Sequence, residues 1–239
     1  MLLNITLNMK TTKSFNDNAR FLEKVIPDST DVYERLKTEV NWVPKIWNGK
    51  PLPRLCCHSV QNTSIGNDIA NWLINTCKNS LNVNIEISDI FGNYYRDGND
   101  YLPDHSDQYN EWIISLSFGT TRLFRFRNIE TRKIETPKFY LKSGDIMIFS
   151  PAMNYTHKHG IPKQKQIQEG RINLTVFVKC SKDIITNKFN KENIPKLIHT
   201  ENKAVVEKEA VNTIVIDKET MNVILDLMSG DNISNYIYM

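Results

Sequence analysis

From Val83 to Cys180 the chain breaks into short runs, NIEISDI, WIISLSF, TRLFRFRN, KFYLKS, DIMIFS and RINLTVFVKC, most of them closed by Gly, Asn, Asp or Pro. Runs of this length, rich in β-branched and aromatic residues and punctuated by turn formers, read as strands. So many in so short a span argue for an antiparallel sandwich or barrel. Every other part of the chain has to pack around that core.

Upstream the pattern is helical. Residues 14–40 read as two short helices broken near Pro27, with Phe15, Leu22 and Val25 at helical spacing in the first. Asp31, Val32, Leu36 and Val40 suit a capped second helix. WVPKIWNGKPLPRL packs prolines and tryptophans into a loop or irregular hairpin. In IGNDIANWLINTCKNSL, Ile69, Trp72, Leu73 and Cys77 fall on one face of an amphipathic helix. Downstream, a polar stretch after Cys180 reads as a linker, followed by a strand-like TIVI and a helix-like ETMNVILDLM. The expected organisation is therefore an N-terminal helical and lid region (1–82), a β core (83–180), and a linker with a C-terminal appendage (181–239).

Composition narrows the setting. Apolar content of 40% and charged content of 24% are ordinary for a globular protein. There is no run of about 18 apolar residues, so no membrane span is expected. The opening MLLNITLNMKTTKSF is too interrupted by Asn, Thr and Lys for a secretory signal. Cys56, Cys57, Cys77 and Cys180 lack C-x-x-C spacing, which points to reduced thiols in the cytoplasm or nucleus. Residues 1–180 carry 23 Lys and Arg against 18 Asp and Glu, a mildly basic body that suits a polyanionic partner.

The chemistry concentrates in NYYRDGNDYLPDHSD, residues 93–107. On an extended strand His105 and Asp107 project to one face, giving two-thirds of the two-histidine, one-carboxylate set that holds iron(II) and leaves positions open. The next histidines are His157 and His159, followed by Arg171 on a further strand. A guanidinium fork is what gripping a dicarboxylate requires. Metal pair, distal histidine and carboxylate-binding arginine, in that order on a double-stranded β-helix, follow the logic of an iron(II)/2-oxoglutarate dioxygenase.

These blocks resemble the AlkB family of such dioxygenases. NYYRDGNDYLPDHSD, ISLSFGTTRLFRFRN, LKSGDIMIFSP, HGIP and RINLT each look like an AlkB block, in the family's order over roughly residues 50–180. The resemblance implies a mainly β fold with flanking helices, a double-stranded β-helix (jelly-roll) barrel. It implies iron held by His105, Asp107 and His159, the last preferred to His157 because it stands directly before Gly160. It implies 2-oxoglutarate contacted by Asn93, Tyr95, Arg171 and Asn173, with O2 as co-reactant. The implied activity is oxidative demethylation of 1-methyladenine or 3-methylcytosine in DNA or RNA, by a monomer, with Arg122, Arg125, Arg127, Lys133 and Lys138 as phosphate contacts.

The chain departs from the family at three places. Phe177 stands where a second arginine is usual, and Lys179, on the same strand face as Arg171, is the expected compensating cation. Gln108 and Tyr109 follow H-x-D where an acidic base-reading residue is common. The lid segment PRLCCHS offers only His58 as an aromatic partner for a base. These departures keep open a dioxygenase acting on protein or a small molecule, and a catalytically silent binding module.

Overall fold

The computed structural model describes residues 12–16, 18–47, 49–180, 183–185, 189–195 and 197, all within the compact unit Met1–His199. The expected TIVI and ETMNVILDLM elements lie outside the described residues.

Two antiparallel sheets face each other. The larger runs in the order β1 (Thr12–Asn16), β2 (Ala19–Leu22), β10 (Ile146–Phe149), β7 (Trp112–Gly119), β12 (Arg171–Cys180), β5 (Ile85–Tyr95), β4 (Lys50–Cys57), β3 (Val43–Trp47). The smaller is β6 (Leu102–His105), β11 (His157–Ile161), β8 (Arg122–Asn128), β9 (Phe139–Leu141). Chain neighbours repeatedly change sheet, which is the jelly-roll arrangement of a double-stranded β-helix.

Strand alternation sorts the side chains into two cores. On β12, Ile172, Leu174, Val176 and Val178 point outward, where they meet Val32 and Leu36 of α1 (Ser29–Glu39) and Ile69, Trp72 and Leu73 of α2 (Ser64–Thr76). The opposite face looks across to the smaller sheet. There Phe21, Ile113, Phe149 and Phe177 pack with Phe124, Phe126 and Ile161. Each such buried side chain contributes about 1.5–3 kcal/mol. On β12 the inward positions Arg171, Asn173 and Thr175 are polar, so apolar packing yields to a cavity at that end.

Three expectations are corrected. The first of the two helices in residues 14–40 is a hairpin: β2 pairs with both β1 and β10. Ala19 and Phe21 alternate into the inner core while Leu22 joins the outer one. Sheet pairing overrides a helical spacing that only three residues carried. The expected linker is, where described, packed: Ile184 and Leu197 are buried in the outer core, and Trp72 Nε1 donates to Pro195 O at 2.8 Å. Strands on either side of residue 82 also share one sheet, since β4 pairs with β5. The WVPKIWNGKPLPRL stretch is the expected irregular hairpin, β3–β4, with a register shift between Pro44 and Ile46. Among the described residues no helix is long and apolar enough to cross a membrane.

Arg122 illustrates how a cation becomes structural. It is 0% exposed and donates to the carbonyls of Asp97 (2.9 Å), Asp100 (2.8 Å) and Pro162 (3.0 Å), tying the loop before β6 to the loop after β11. Arg122→Leu strands these acceptors in an apolar setting. The expected cost is about 3 kcal/mol, a fall in melting temperature of roughly 6–12 °C for a chain of this size, read by thermal circular dichroism.

Candidate active site

His105 closes β6, and its register partner across the sheet is His159 of β11. Gly160 permits that approach, because a Cβ there would stand 2.6 Å from Asp104 Oδ1 and 2.9 Å from Leu102 O. Asp107 lies two residues beyond the strand end and is aimed by α3 (Pro151–Thr156). Its N–H donates to Asn154 Oδ1 at 3.0 Å, and its carbonyl accepts from Asn154 Nδ2 at 2.9 Å. Ser150 caps that helix and Pro151 starts it, so a short, well-fixed turn holds the carboxylate's backbone.

The three side chains converge: one ligand atom from each of His105, Asp107 and His159 lies within 4.8 Å of the others. Asp107 Oδ1 is 3.3 Å from His105 Nε2, and Oδ2 is 3.4 Å from His159 Nε2. His105 Nδ1 sits 3.1 Å from the carbonyls of Pro103 and His159, which fixes the proton on Nδ1 and turns the Nε2 lone pair toward Asp107. Asp107 Oδ2 is buried without a hydrogen-bond partner. Burial pushes His159 down to about 4, which keeps it neutral at pH 7 and able to act as a ligand. Burial opposes ionisation of Asp107, but His159, His105 and Arg54 outweigh it and hold the carboxyl below its ordinary range. Lone pairs facing one another across a buried gap fit a divalent cation, and two imidazoles with one carboxylate fit iron(II). His157 turns away, with Nε2 3.4 Å from Glu135 Oε1 and Nδ1 2.8 Å from Thr156 Oγ1.

A cavity of about 540 Å³ opens over this cluster. Arg171, 1% exposed, lines it, backed by the fully buried Tyr95, whose ring centroid is 5.4 Å from the guanidinium. Arg171 Nη2 donates to Ser117 Oγ at 3.0 Å and the guanidinium also interacts with the Tyr95 hydroxyl, while its Nε and Nη1 make no close hydrogen bond. Burial pushes the Arg171 guanidinium down to about 10. A buried cation with idle donors is costly unless an anion completes it. Asn93 is bonded on both sides, accepting from Arg54 Nε at 2.6 Å and donating to Asn173 Oδ1 at 3.4 Å. Asn173 spends its own amide on Ser115 Oγ (2.7 Å) and Leu116 O (3.1 Å), so it holds Asn93 in place.

Several expected contacts are otherwise employed. Lys179 does share the alternation of Arg171, but at the far end of β12, where it is exposed and pairs with Glu86 at 3.6 Å. Strand length, invisible to a parity argument, carries it out of the cavity. Arg125 and Arg127 both bind Asp104, at 2.9 and 2.7 Å, and Arg122 is buried, which removes all three from the expected phosphate contacts. Lys133 and Lys138 remain exposed.

The mouth is richer in rings than the lid alone implies. His58 meets Phe91 edge-on with centroids 4.6 Å apart, and Tyr109 stacks on Phe177 at 4.0 Å; all four line the cavity. Phe91 was findable, because it alternates with Asn93 and Tyr95 on one face of β5. Arg54 was not, since nothing in PLPRL marks it as inward-facing.

The family profile described as the 2OG-Fe(II) oxygenase superfamily matches residues 34–176, more than half of the chain. Among curated proteins, the DNA oxidative demethylase ALKBH2 of Mus musculus is 32% identical over 94 residues, covering 35% of this chain and 39% of its own length. The alpha-ketoglutarate-dependent dioxygenase alkB homolog 3 of Rattus norvegicus is 35% identical over 95 residues, covering 35% and 32%. The chain therefore spans under two-fifths of these relatives. A solved structure titled "The structure of OsALKBH1" aligns with 70% of this chain and 99% of its own at a TM-score of 0.49 and 16% identity, a likeness too faint to carry a conclusion. The profile match covers the strands that build the metal cluster and the arginine-floored cavity, and the chain belongs to the 2OG-Fe(II) oxygenase superfamily, AlkB-like in its sequence blocks.

Proposed function

We propose that this chain is an iron(II)/2-oxoglutarate-dependent dioxygenase that removes methyl groups from alkylated bases such as 1-methyladenine and 3-methylcytosine in DNA or RNA. The observation that carries the reading is a single cavity lined by the His105, Asp107 and His159 cluster, by the idle donors of Arg171, and by the rings of His58, Phe91, Tyr109 and Phe177. The similarity to the mouse DNA oxidative demethylase supports a nucleic-acid substrate.

In this reading His105 Nε2, His159 Nε2 and Asp107 hold the metal. Arg171 and the Tyr95 hydroxyl grip the distal carboxylate of 2-oxoglutarate, and Asn93, braced by Asn173, flanks it. Iron(II) with 2-oxoglutarate and oxygen supplies the oxidation of the methyl carbon, which leaves as formaldehyde while the cosubstrate becomes succinate and carbon dioxide. Ile113, Phe124, Phe149 and Ile161 form an apolar wall that limits water around the cluster. A base leaves its stack to reach such a site, and flat rings at the mouth receive it by stacking.

Incubation of the iron(II)-loaded protein with 2-oxoglutarate and methylated oligonucleotides, single- and double-stranded, is expected to release succinate and shift the oligonucleotide by one methyl in mass spectrometry. Succinate without demethylation favours an oxygenase acting on protein or a small molecule, a reading that Gln108 and Tyr109 at the usual acidic position keep in play. The same chain giving neither succinate nor iron binding sinks both.

A further inference from the structure

The side chains of α3 nearly all serve the fold. Ser150 caps the helix, Met153 is buried in the inner core, Asn154 holds the backbone of Asp107, and Thr156 Oγ1 meets His157 Nδ1. Tyr155 stands apart, with its side chain 85% exposed. A lone exposed ring needs no explanation, but this one lines a trough of about 350 Å³ together with Tyr109, itself 44% exposed. Residues 106–109 line both this trough and the catalytic cavity, so the two share a rim. Asn154 Nδ2 fixes that rim by donating to the carbonyls of Asp107 (2.9 Å) and Tyr109 (3.4 Å), and Phe177 stacks on the Tyr109 ring.

The chemistry of the trough selects its occupant. Apart from Asp107 of the His–Asp–His cluster, no charged side chain lines it among the described residues. A phosphate or a charged peptide therefore finds no counter-charge there. The trough offers two phenol rings, the Pro151 ring, and the exposed amides of Gln108 and Asn110, each able to donate and to accept. Rings flanked by neutral amides suit a flat, uncharged heterocycle with donors and acceptors along its edge, which describes a nucleobase. We infer that the trough holds the base next to the target base on an unpaired strand, stacked on Tyr155, while the target base occupies the cavity. A paired neighbour keeps its faces inside the duplex stack, so the trough serves single-stranded segments. The inference rests on the demethylase reading and specifies what the substrate carries beyond the methylated base, namely an unpaired neighbouring base.

The test reads binding on the full chain loaded with redox-silent manganese(II), so it does not depend on turnover. The probes are short single strands with a central 3-methylcytosine, flanked either by 2-aminopurine, whose emission falls on stacking, or by abasic sites. The wild type is expected to quench the 2-aminopurine and to bind the base-flanked strand more tightly than the abasic one. Tyr155→Ala is expected to lose the quenching and roughly 5- to 150-fold in affinity for the base-flanked strand, with no change for the abasic one. Tyr155→Phe keeps the ring and retains both. Because the trough neutralises no phosphate, the ratio of wild-type to variant affinity is the same at about 50 and 200 mM salt. Affinity of Tyr155→Ala for the base-flanked strand within twofold of the wild type overturns the proposal. So does an equal loss on both strands, or a wild type that binds neither. A thermal melt checks the fold, and Tyr155→Gln, with the same two outcomes, replaces an alanine variant that does not fold. Normal demethylation with no effect of Tyr155→Ala sinks the trough alone, whereas failure to demethylate any oligonucleotide sinks the demethylase reading.

Discussion

Asp107→Ala is expected to lose iron(II) binding by about 100-fold or more and, with it, all release of succinate. Altering a residue that merely orients a metal ligand costs about 10- to 100-fold, and Asp107 is the only anion in the cluster. Its loss leaves two imidazoles and no negative charge to offset that of the divalent ion. Stability gives an independent readout. In the metal-free protein Asp107 Oδ2 is a buried acceptor without a partner, so its removal costs the unliganded fold little. Metal at about 100 times its dissociation constant stabilises the wild type by about 2.7 kcal/mol, which amounts to a melting shift of roughly 5–11 °C. The variant shows no such shift. A wild-type-sized shift in Asp107→Ala, measured by scanning fluorimetry with manganese(II), places the metal elsewhere.

The sequence was most readable where one physical rule decided the outcome. Alternation along RINLTVFVKC separated Arg171, Asn173 and Thr175 from Ile172, Leu174 and Val176, and the structure sorts them to opposite faces. The H-x-D pair and His159 come together because β6 and β11 are register partners, and no local rule forecasts that register. The order of motifs pointed to it through family likeness alone. Failures arose where tertiary context outranked local pattern. Ala19–Leu22 became a strand because β1 and β10 offered it partners on both sides. RLFRFRN looked like a basic nucleic-acid face until Asp104, upstream in another strand, claimed Arg125 and Arg127. Arg54 sat unnoticed between two prolines and a cysteine pair, since its importance comes from pairing with β5.

Arg171→Met is expected to separate cosubstrate binding from folding. A buried charged donor removed from its partner costs about 2–5 kcal/mol of binding, roughly 30- to 4,000-fold in affinity for 2-oxoglutarate. Folding moves the other way. The native guanidinium is held at about 10 by desolvation, below its ordinary range, so the folded state disfavours its charge. For a base with a lowered folded value that penalty is fully present below about pH 10 and is relieved only as pH rises from there toward the ordinary guanidinium range. Throughout the neutral range, then, the unliganded wild type carries the whole cost of an unmatched buried cation, and an apolar chain of similar length escapes it. Without 2-oxoglutarate the variant melts at or above the wild type, by a margin that is constant across neutral pH. With 2-oxoglutarate the order reverses, because only the wild type gains from the ligand. A variant that melts well below the wild type without ligand assigns Arg171 a structural role through Ser117 and Tyr95, and the idle donors at the cavity floor then need another explanation.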